Sequence, residues 1–408
     1  MDLRSVALQL HKEKRGKIEV CSKVKIEKAE DLSLAYSPGV AEPCLEIKKD
    51  SSLVFDYTNK GNTVAVITDG TAVLGLGDLG PEAALPVMEG KAILFKTFAG
   101  IDAFPLCLNT KRVEEIVETV VRLAPTFAGI NLEDISAPRC FAIEEAIGAR
   151  LKIPVFHDDQ HGTAVVCLAG LLNAIKVVGK SLDRIKIVIN GAGAAGQAIT
   201  KLLYTAGARR IKLCDLTGIL HPKMAGINPY QKTLALLTNP EGEKGDLRSA
   251  LRGADVFIGV SAAKILSGEM VKEMAPKAII FAMANPEPEI DPEEAKWGGA
   301  AVVGTGRSDY PNQINNLLGF PGIFRGALDV RARKISEGMM LGAAKAIAGL
   351  ISREQLSAAR IIPGPFDQRV VPAVAFAVGA RAIKEGLTEL PITAERLKEN
   401  LTNRFGAW

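Results

Sequence analysis

A chain of 408 residues, 48% hydrophobic and 24% charged, has the length for two or three domains and the composition of a folded protein, which excludes wholesale disorder. Its 50 basic and 46 acidic residues leave a net charge of only +4, no basis for predicting nucleic-acid binding.

Taken in chain order, the first thirty residues read as polar helix, and a loop follows at Tyr36-Ser-Pro-Gly-Val-Ala-Glu-Pro43. Between Val64 and Leu74 short β-type runs are broken by the turn pair Asp69-Gly70. Helix and strand patterns then alternate: Pro81–Lys91 helix, Ala92–Lys96 strand, Lys111–Leu123 helix, Phe127–Leu132 strand, Cys140–Ala149 helix, Val155–Phe156 strand. This βαβα order predicts a parallel sheet covered on both faces. A second series opens with an apolar helix from Gly162 to about Val178. It continues through strands at Ile185–Ile189, Ile211–Leu213, Asp255–Gly259, Ala278–Ala282 and Ala301–Val303, with a helix at Ala194–Ala206. After Asn312 the chain turns helical, at Gly326–Lys334, Gly338–Ile351, Pro372–Glu385 and Ala394–Asn400. The fold class is therefore α/β, with two domains, each a mainly parallel sheet flanked by helices.

Six scattered cysteines with no C-x-x-C pair argue against a disulfide framework or a zinc cluster. The longest apolar run, Ala164–Ile175, is shorter than a bilayer span, and the N-terminus has no signal-peptide pattern. These features predict a cytoplasmic protein with reduced thiols and neither membrane nor nucleic-acid partners.

Two G-x-G-x-x-G runs compete as a dinucleotide site. The run Gly191-Ala192-Gly193-Ala194-Ala195-Gly196 follows a strand, opens a helix of about three turns, and has Asp215 at the end of the next strand. That context presents helix N–H groups to a pyrophosphate and an acid to a ribose, so it makes the second domain Rossmann-type. The run Gly75–Gly80 is followed by Pro81 and Pro86 and reads instead as a tight loop where two backbones pass closely.

Two acidic pairs, Glu133-Asp134 and Asp158-Asp159, each end a strand of the first series. In a parallel sheet both lie at the carboxyl edge, where α/β proteins bind ligands. Adjacent carboxylates repel unless a cation compensates them, and a hard divalent ion does so; helix N-capping is the alternative. His157 and His161 flank the second pair but read as structural, because Gly162 and the preceding strand argue against one continuous helix.

The set Ala35-Tyr-Ser-Pro-Gly-Val-Ala41, Gly75–Gly80, Gly90-Lys91-Ala92, Asn131-Leu-Glu-Asp134, His157-Asp-Asp-Gln-His-Gly-Thr-Ala164, Ala284-Asn-Pro286 and Pro311–Asn316 resembles the malic enzymes, in the short form of bacteria and archaea. The resemblance runs from about residue 10 to about 385. It implies oxidative decarboxylation of L-malate to pyruvate and CO₂, with NAD(P)⁺ reduced and Mg²⁺ or Mn²⁺ required. It implies Glu133, Asp134 and Asp159 as metal ligands, Lys91 as general base, Tyr36 as general acid, and Asp158 as a carboxylate interacting with the lysine. Asn285 and Asn316 match asparagines that touch substrate or nicotinamide. Lys91 must be neutral to accept a proton, so burial or a nearby cation is expected to lower its pKa. The family also implies residues 1–157, completed by helices from about 316 to 408, as the substrate domain. It implies 158–315 as the NAD(P) domain, and a homodimer or homotetramer with the helical N-terminus as a subunit contact.

One departure stands out. Larger malic enzymes carry an arginine for a substrate carboxylate in the segment matching Asp69-Gly-Thr-Ala72, where this chain has Ala72. Asp215 favours NAD over NADP by repelling a 2′-phosphate, with Arg209, Arg210 and Lys223 near enough in sequence to offset it. The nearest rival activity is a malolactic conversion of malate to lactate on bound NAD. A non-catalytic nucleotide sensor would be marked by loss of the acids or the lysine, and all are present.

Overall fold

Residues 2–408 are described by a computed structural model in which ten strands divide between two sheets. Helices α1 (Leu3–Lys14), α2 (Ala29–Ala35), α3 (Ala41–Lys49) and α4 (Val54–Tyr57) lead to β1 (Thr63–Thr68), and none of the four contains a buried residue. Then follow α5 (Pro81–Ala99), β2 (Asp102–Cys107), α6 (Val113–Leu123), β3 (Gly129–Leu132), α7 (Arg139–Arg150) and β4 (Val155–His157). The four strands are parallel, in the order β2-β1-β3-β4.

Helix α8 (Asp158–Val178) leads to the second sheet: β5 (Lys186–Asn190), α9 (Ala194–Thr205), β6 (Arg210–Asp215), β7 (Gly218–Ile219), α10 (Pro229–Thr238), α11 (Leu247–Leu251), β8 (Val256–Gly259), α12 (Gly268–Lys272), β9 (Ala278–Ala282), α13 (Pro292–Trp297) and β10 (Ala300–Thr305). Its order is β10-β9-β8-β5-β6-β7, parallel except for the short β7. The chain reverses direction across the sheet between β5 and β8, the crevice where such folds bind ligands. Helices α14 (Phe320–Asp329), α15 (Glu337–Gly349), α16 (Val370–Lys384) and α17 (Ala394–Phe405) follow. Phe320 and Phe324 of α14 stack edge-on to Phe95 of α5, at 4.7 and 5.2 Å between centroids, so the chain returns to the first sheet.

Both sheets are covered on both faces, and the strands show it. Val64 and Val66 of β1 join one core while Ala65 and Ile67 join another; Ile187 and Ile189 of β5 likewise part from Val188. Helix α8 is long and apolar enough to cross a membrane, but most of it is buried between the sheets, as an all-round apolar helix must be in a folded chain.

Four expectations are corrected. Ala92–Lys96 is not a strand: α5 runs on to Ala99, because Ala84, Met88, Lys91, Ala92, Phe95 and Ala99 recur at helical spacing and all are buried. The packed stripe outweighs the hydrogen bond that Pro86 removes. The true strand, β2, lies one turn further on. Helix α8 begins at Asp158, not near Gly162, so the second acidic pair occupies its first turn. Finally, residues 15–28 are not helical, and the helix placed at Gly326–Lys334 runs from Phe320 to Asp329.

Candidate active site

Glu133 and Asp134 leave the carboxyl end of β3, and Asp158 and Asp159 that of β4. Glu133 N–H still donates to Ile67 O (2.9 Å), continuing the ladder, while Asp134 turns to φ +53°. That left-handed residue swings its side chain back toward Asp159, whose Oδ2 accepts the Asp134 N–H at 2.8 Å. One oxygen each from Glu133, Asp134 and Asp159 lie within 4.8 Å of one another.

Lys91 enters from α5. Its buried Nζ donates to Asp158 Oδ2 at 2.6 Å, lies 2.9 Å from Glu133 Oε1, and sits 4.1 Å from the centre of the Phe320 ring. Asn316 Nδ2 donates to the same Asp158 oxygen at 2.6 Å, and Asn131 Nδ2 to Glu133 Oε2 at 2.8 Å. Gly162 makes room for Asp158: a Cβ there would stand 1.8 Å from its Oδ1.

The electrostatics follow from burial. Burial pushes the Asp134 carboxyl up to about 9, helped by Asp159 and Glu133. It pushes Glu133 up to about 7 and Asp158 up to about 7, against the pull of Lys91, and Asp159 up to about 6. Burial works against the Lys91 charge as well, but Asp158 and Glu133 outweigh it and hold the ammonium above its ordinary value. The expectation of a lowered lysine is thus reversed, because the residues that surround it are acids.

The acid cluster fits a hard divalent ion. Three carboxylates share one small volume, one lysine serves two of the four local acids, and Asp134 Oδ2 is buried with no hydrogen bond. An oxygen-only donor set suits Mg²⁺ or Mn²⁺. Of the two histidines, His161 has Nε2 2.9 Å from Glu144, while buried His157, pushed down to about 4, has Nε2 3.4 Å from Asp159 Oδ2.

The second sheet supplies the other half of the cleft. Gly191 has φ +115°, and a Cβ there would lie 2.6 Å from Val260 O across the β5–β8 crevice. At Gly196 it would lie 1.7 Å from Gly191 O, so the turn closes only with glycine. Gly193 precedes α9 with open space beside it, and Ala192, Ala194 and Ala195 complete a small-residue turn. Such a cradle fits a dinucleotide pyrophosphate. Asp215 ends β6, with Oδ2 accepting from Gln231 Nε2 at 3.2 Å. The loop after β9 carries exposed Asn285, whose carbonyl would be 2.5 Å from a Cβ on Gly75. The first glycine run is therefore a close backbone crossing between the two halves.

Two segments of the chain match family models: residues 15–147 the N-terminal domain of malic enzyme, and residues 160–384 its NAD binding domain. The chain belongs to the malic enzyme family. It is 59% identical to a bifunctional malic/malolactic enzyme of Bacillus subtilis over 98% of both chains. It is 58% identical to an NAD-dependent malic enzyme of Geobacillus stearothermophilus, over 91% of this chain and 78% of that one. The crystal structure of malic enzyme from Pyrococcus horikoshii superposes with a TM-score of 0.94 at 49% identity, covering 99% of this chain and 96% of that one.

Of the residues singled out from the sequence, the fold gathers Lys91, Glu133, Asp134, Asp158, Asp159 and Asn316 around one point. It does not bring Tyr36 there. That side chain is 68% exposed, and the polar and aromatic neighbours of Lys91 are Asp158, Glu133 and Phe320. Sequence reasoning missed Asn131, two residues before Glu133 on the same face of β3, and Arg139. The latter donates to Asp69 Oδ2 (2.7 Å) and Thr71 Oγ1 (2.8 Å), fixing the segment that contains Ala72. Alternation along β3 was a signal for Asn131; nothing local marked Arg139.

Proposed function

We propose that the cleft between the two carboxyl edges carries out the malic enzyme reaction, with Lys91 as base and Tyr36 as acid. L-Malate, NAD(P)⁺ and a divalent ion are the reactants and cofactors, and pyruvate, CO₂ and NAD(P)H the products. The observation that carries this reading is the buried Lys91, bonded at once to Asp158 and to a carboxylate of the oxygen cluster. Base and cation site thereby share one wall.

Glu133, Asp134 and Asp159 would hold Mg²⁺ or Mn²⁺, which when bound polarises the hydroxyl and carboxylate oxygens and stabilises the charge left as CO₂ departs. The turn Gly191–Gly196 with Asp215 would hold NAD(P)⁺, whose nicotinamide accepts the hydride from C2. Asn285, on the loop facing Gly75, and Asn316, bonded to Asp158, would meet nicotinamide or substrate.

The chain's own groups then divide the proton work. Lys91 accepts the C2 hydroxyl proton only after giving up one of its own. Asp158 Oδ2, 2.6 Å away with its carboxyl pushed up to about 7, is the nearest acceptor. Asn316 holds that oxygen in line, and Phe320 shields the ammonium from water. Tyr36 delivers a proton to C3 after decarboxylation.

The division into a substrate domain (1–157 with helices from about 316) and a nucleotide domain (158–315) rests on the two sheets and on the return of α14 to Phe95. Asp215 has no basic side chain among its hydrogen-bond partners, and Arg209 lies against Tyr204 instead, which supports a preference for NAD. Free cysteines throughout support a cytoplasmic setting, and the apolar side chains exposed on the N-terminal helices support a homodimer or homotetramer.

Absorbance at 340 nm with L-malate, Mn²⁺ and each nucleotide tests the activity, with pyruvate measured in parallel and chelator as control. Metal-dependent reduction matched by pyruvate is the expected result; no reduction in either nucleotide refutes it. The name of the Bacillus subtilis relative favours one second reading, a malolactic activity on the same site. Its mark is lactate without net nucleotide reduction.

A further inference from the structure

We propose that Tyr36 serves the site of a second copy of this chain, so that each active site is complete only in a homodimer. The inference rests on Tyr36 being the acid of the reaction proposed above.

Among the described residues, no hydrogen bond or ring contact joins Tyr36 to Lys91, and the Tyr36 side chain is largely exposed. The segment that carries it is tied along α5 by Lys17, whose N–H donates to Glu89 Oε2 (3.0 Å) and whose Nζ donates to Pro86 O (2.6 Å). It then reaches the amino edge of the first sheet, where Lys23 lines a cavity of about 580 Å³ with Asn62 and Gly100. The segment ends at the same edge, entering β1 at Thr63. Lys91, Glu133 and Asp158 meet at the opposite edge, and the six residues of β1 separate the two by roughly 20 Å.

The same segment is poorly suited to water. Among the described residues, fourteen of the 23 exposed large hydrophobic side chains fall between Leu3 and Tyr57, among them Val20 (90%), Leu34 (78%) and Tyr36 itself. Together they expose on the order of 1,000 Å² of apolar side chain, more than the roughly 800 Å² per partner of a stable interface. Monomeric proteins rarely leave so large an apolar area in water.

A receiving surface lies beside the acids. Leu74, Leu76 and Leu79 are exposed on the loop between β1 and α5, and that loop is bound to the cluster through Ala72 N–H, which donates to Asp134 O at 2.9 Å. Each copy thus offers an apolar arm bearing a tyrosine and an apolar rim beside a site that lacks one. A two-fold axis pairs both at once. The acid cluster and base come from one protomer and the acid phenol from its partner.

The test is complementation between inactive variants. Tyr36→Phe and Lys91→Ala chains are co-expressed with different affinity tags, and the heterodimer is purified through both. Neither homodimer turns over malate at a significant rate. The heterodimer holds one site with both residues intact and one with neither, so it should show about half the parent's rate. A heterodimer as inactive as the two homodimers overturns the proposal, as does a parent that is monomeric yet fully active. A Tyr36→Phe homodimer with the parent's rate overturns it by removing the acid role. A parent inactive toward malate overturns the underlying reaction, a separate and recognisable failure. Should Lys91→Ala not fold, Asp159→Asn takes its place with the same expected outcome.

Discussion

Gly162→Ala puts the geometry of the base to its hardest test. Gly162 follows Asp158 by one turn of α8, and the carboxylate folds back over the glycine. The added methyl would sit 1.8 Å from Asp158 Oδ1 and 2.8 Å from its Cγ. Ordinary carbon contacts begin near 3.5 Å, so the carboxylate must withdraw by about 1.5 Å. It is fully buried, and its other oxygen holds Lys91 and Asn316, each at 2.6 Å, so it cannot withdraw and keep both. A displacement near 1 Å at a reacting group costs about 100-fold, and kcat/KM for malate should fall by about that factor. Stability responds to two opposed effects. Alanine favours helix over glycine by about 1 kcal/mol, while breaking a buried ion pair costs about 3–5 kcal/mol. Lys91 retains Glu133, so the net loss should be about 2–3 kcal/mol, read by thermal or urea unfolding with chelator present. The decisive assay is a double-mutant cycle. In an Asp158→Ala background there is no carboxylate to displace, and Gly162→Ala should add almost nothing to the loss of rate. If Gly162→Ala alone stays within threefold of the parent, or costs as much in the Asp158→Ala background, the reasoning is wrong.

With metal removed, stability should fall as pH rises. Asp134 titrates at about 9 and Glu133 at about 7 in the folded chain, but near 4 when unfolded, so the native state binds more protons across that interval and loses stability through it. From pH 7 to 8.5 Asp134 alone removes on the order of 1–2 kcal/mol; His157, pushed down to about 4, is neutral in the folded chain and mostly neutral in the unfolded one, so it offsets little of this. The melting temperature in EDTA should therefore drop over that range and be restored by Mn²⁺, and a flat or rising profile would refute this. Gly196→Ala forces a methyl to 1.7 Å from Gly191 O, so the nucleotide KM should rise at least tenfold, checked by nucleotide titration of the metal-loaded protein. Asp215→Ser should raise the NADP to NAD activity ratio, since no basic side chain bonds to Asp215; an unchanged ratio counts against its role in selecting the nucleotide.

Much of the site was legible because its parts are local. A strand, a glycine turn, a long helix and an acid ending the next strand together pointed to a nucleotide cradle, and Gly196 closes against Gly191 five residues away. The acids were legible as strand ends, since a parallel sheet delivers all its carboxyl termini to one edge. What failed was the reading of residues that answer to something distant. Pro86 spoke for a short helix, yet a stripe packed against β2 and α14 carried α5 through it and set Lys91 mid-helix. Gly162 spoke for a break, yet it is the hole into which Asp158 folds. Both times a local breaker was overruled by a tertiary contact formed with a different part of the chain.

The same logic extends to the charge on Lys91. A catalytic lysine in isolation suggests desolvation and a lowered pKa, because that is what burial alone does. The fold buries it instead against Asp158 and Glu133, and two near carboxylates outweigh the burial. The arrangement makes chemical sense only for a site that is completed later. The lysine is the counter-ion to two of four crowded acids. Glu133, Asp134 and Asp159 would hold a divalent cation whose charge, beside Lys91, would draw Glu133 away from the lysine and favour the neutral amine. The base role proposed for Lys91 would thus depend on its neighbours. Such a dependence would account for a lysine that sits within 3 Å of a metal-site carboxylate rather than in an apolar pocket of its own.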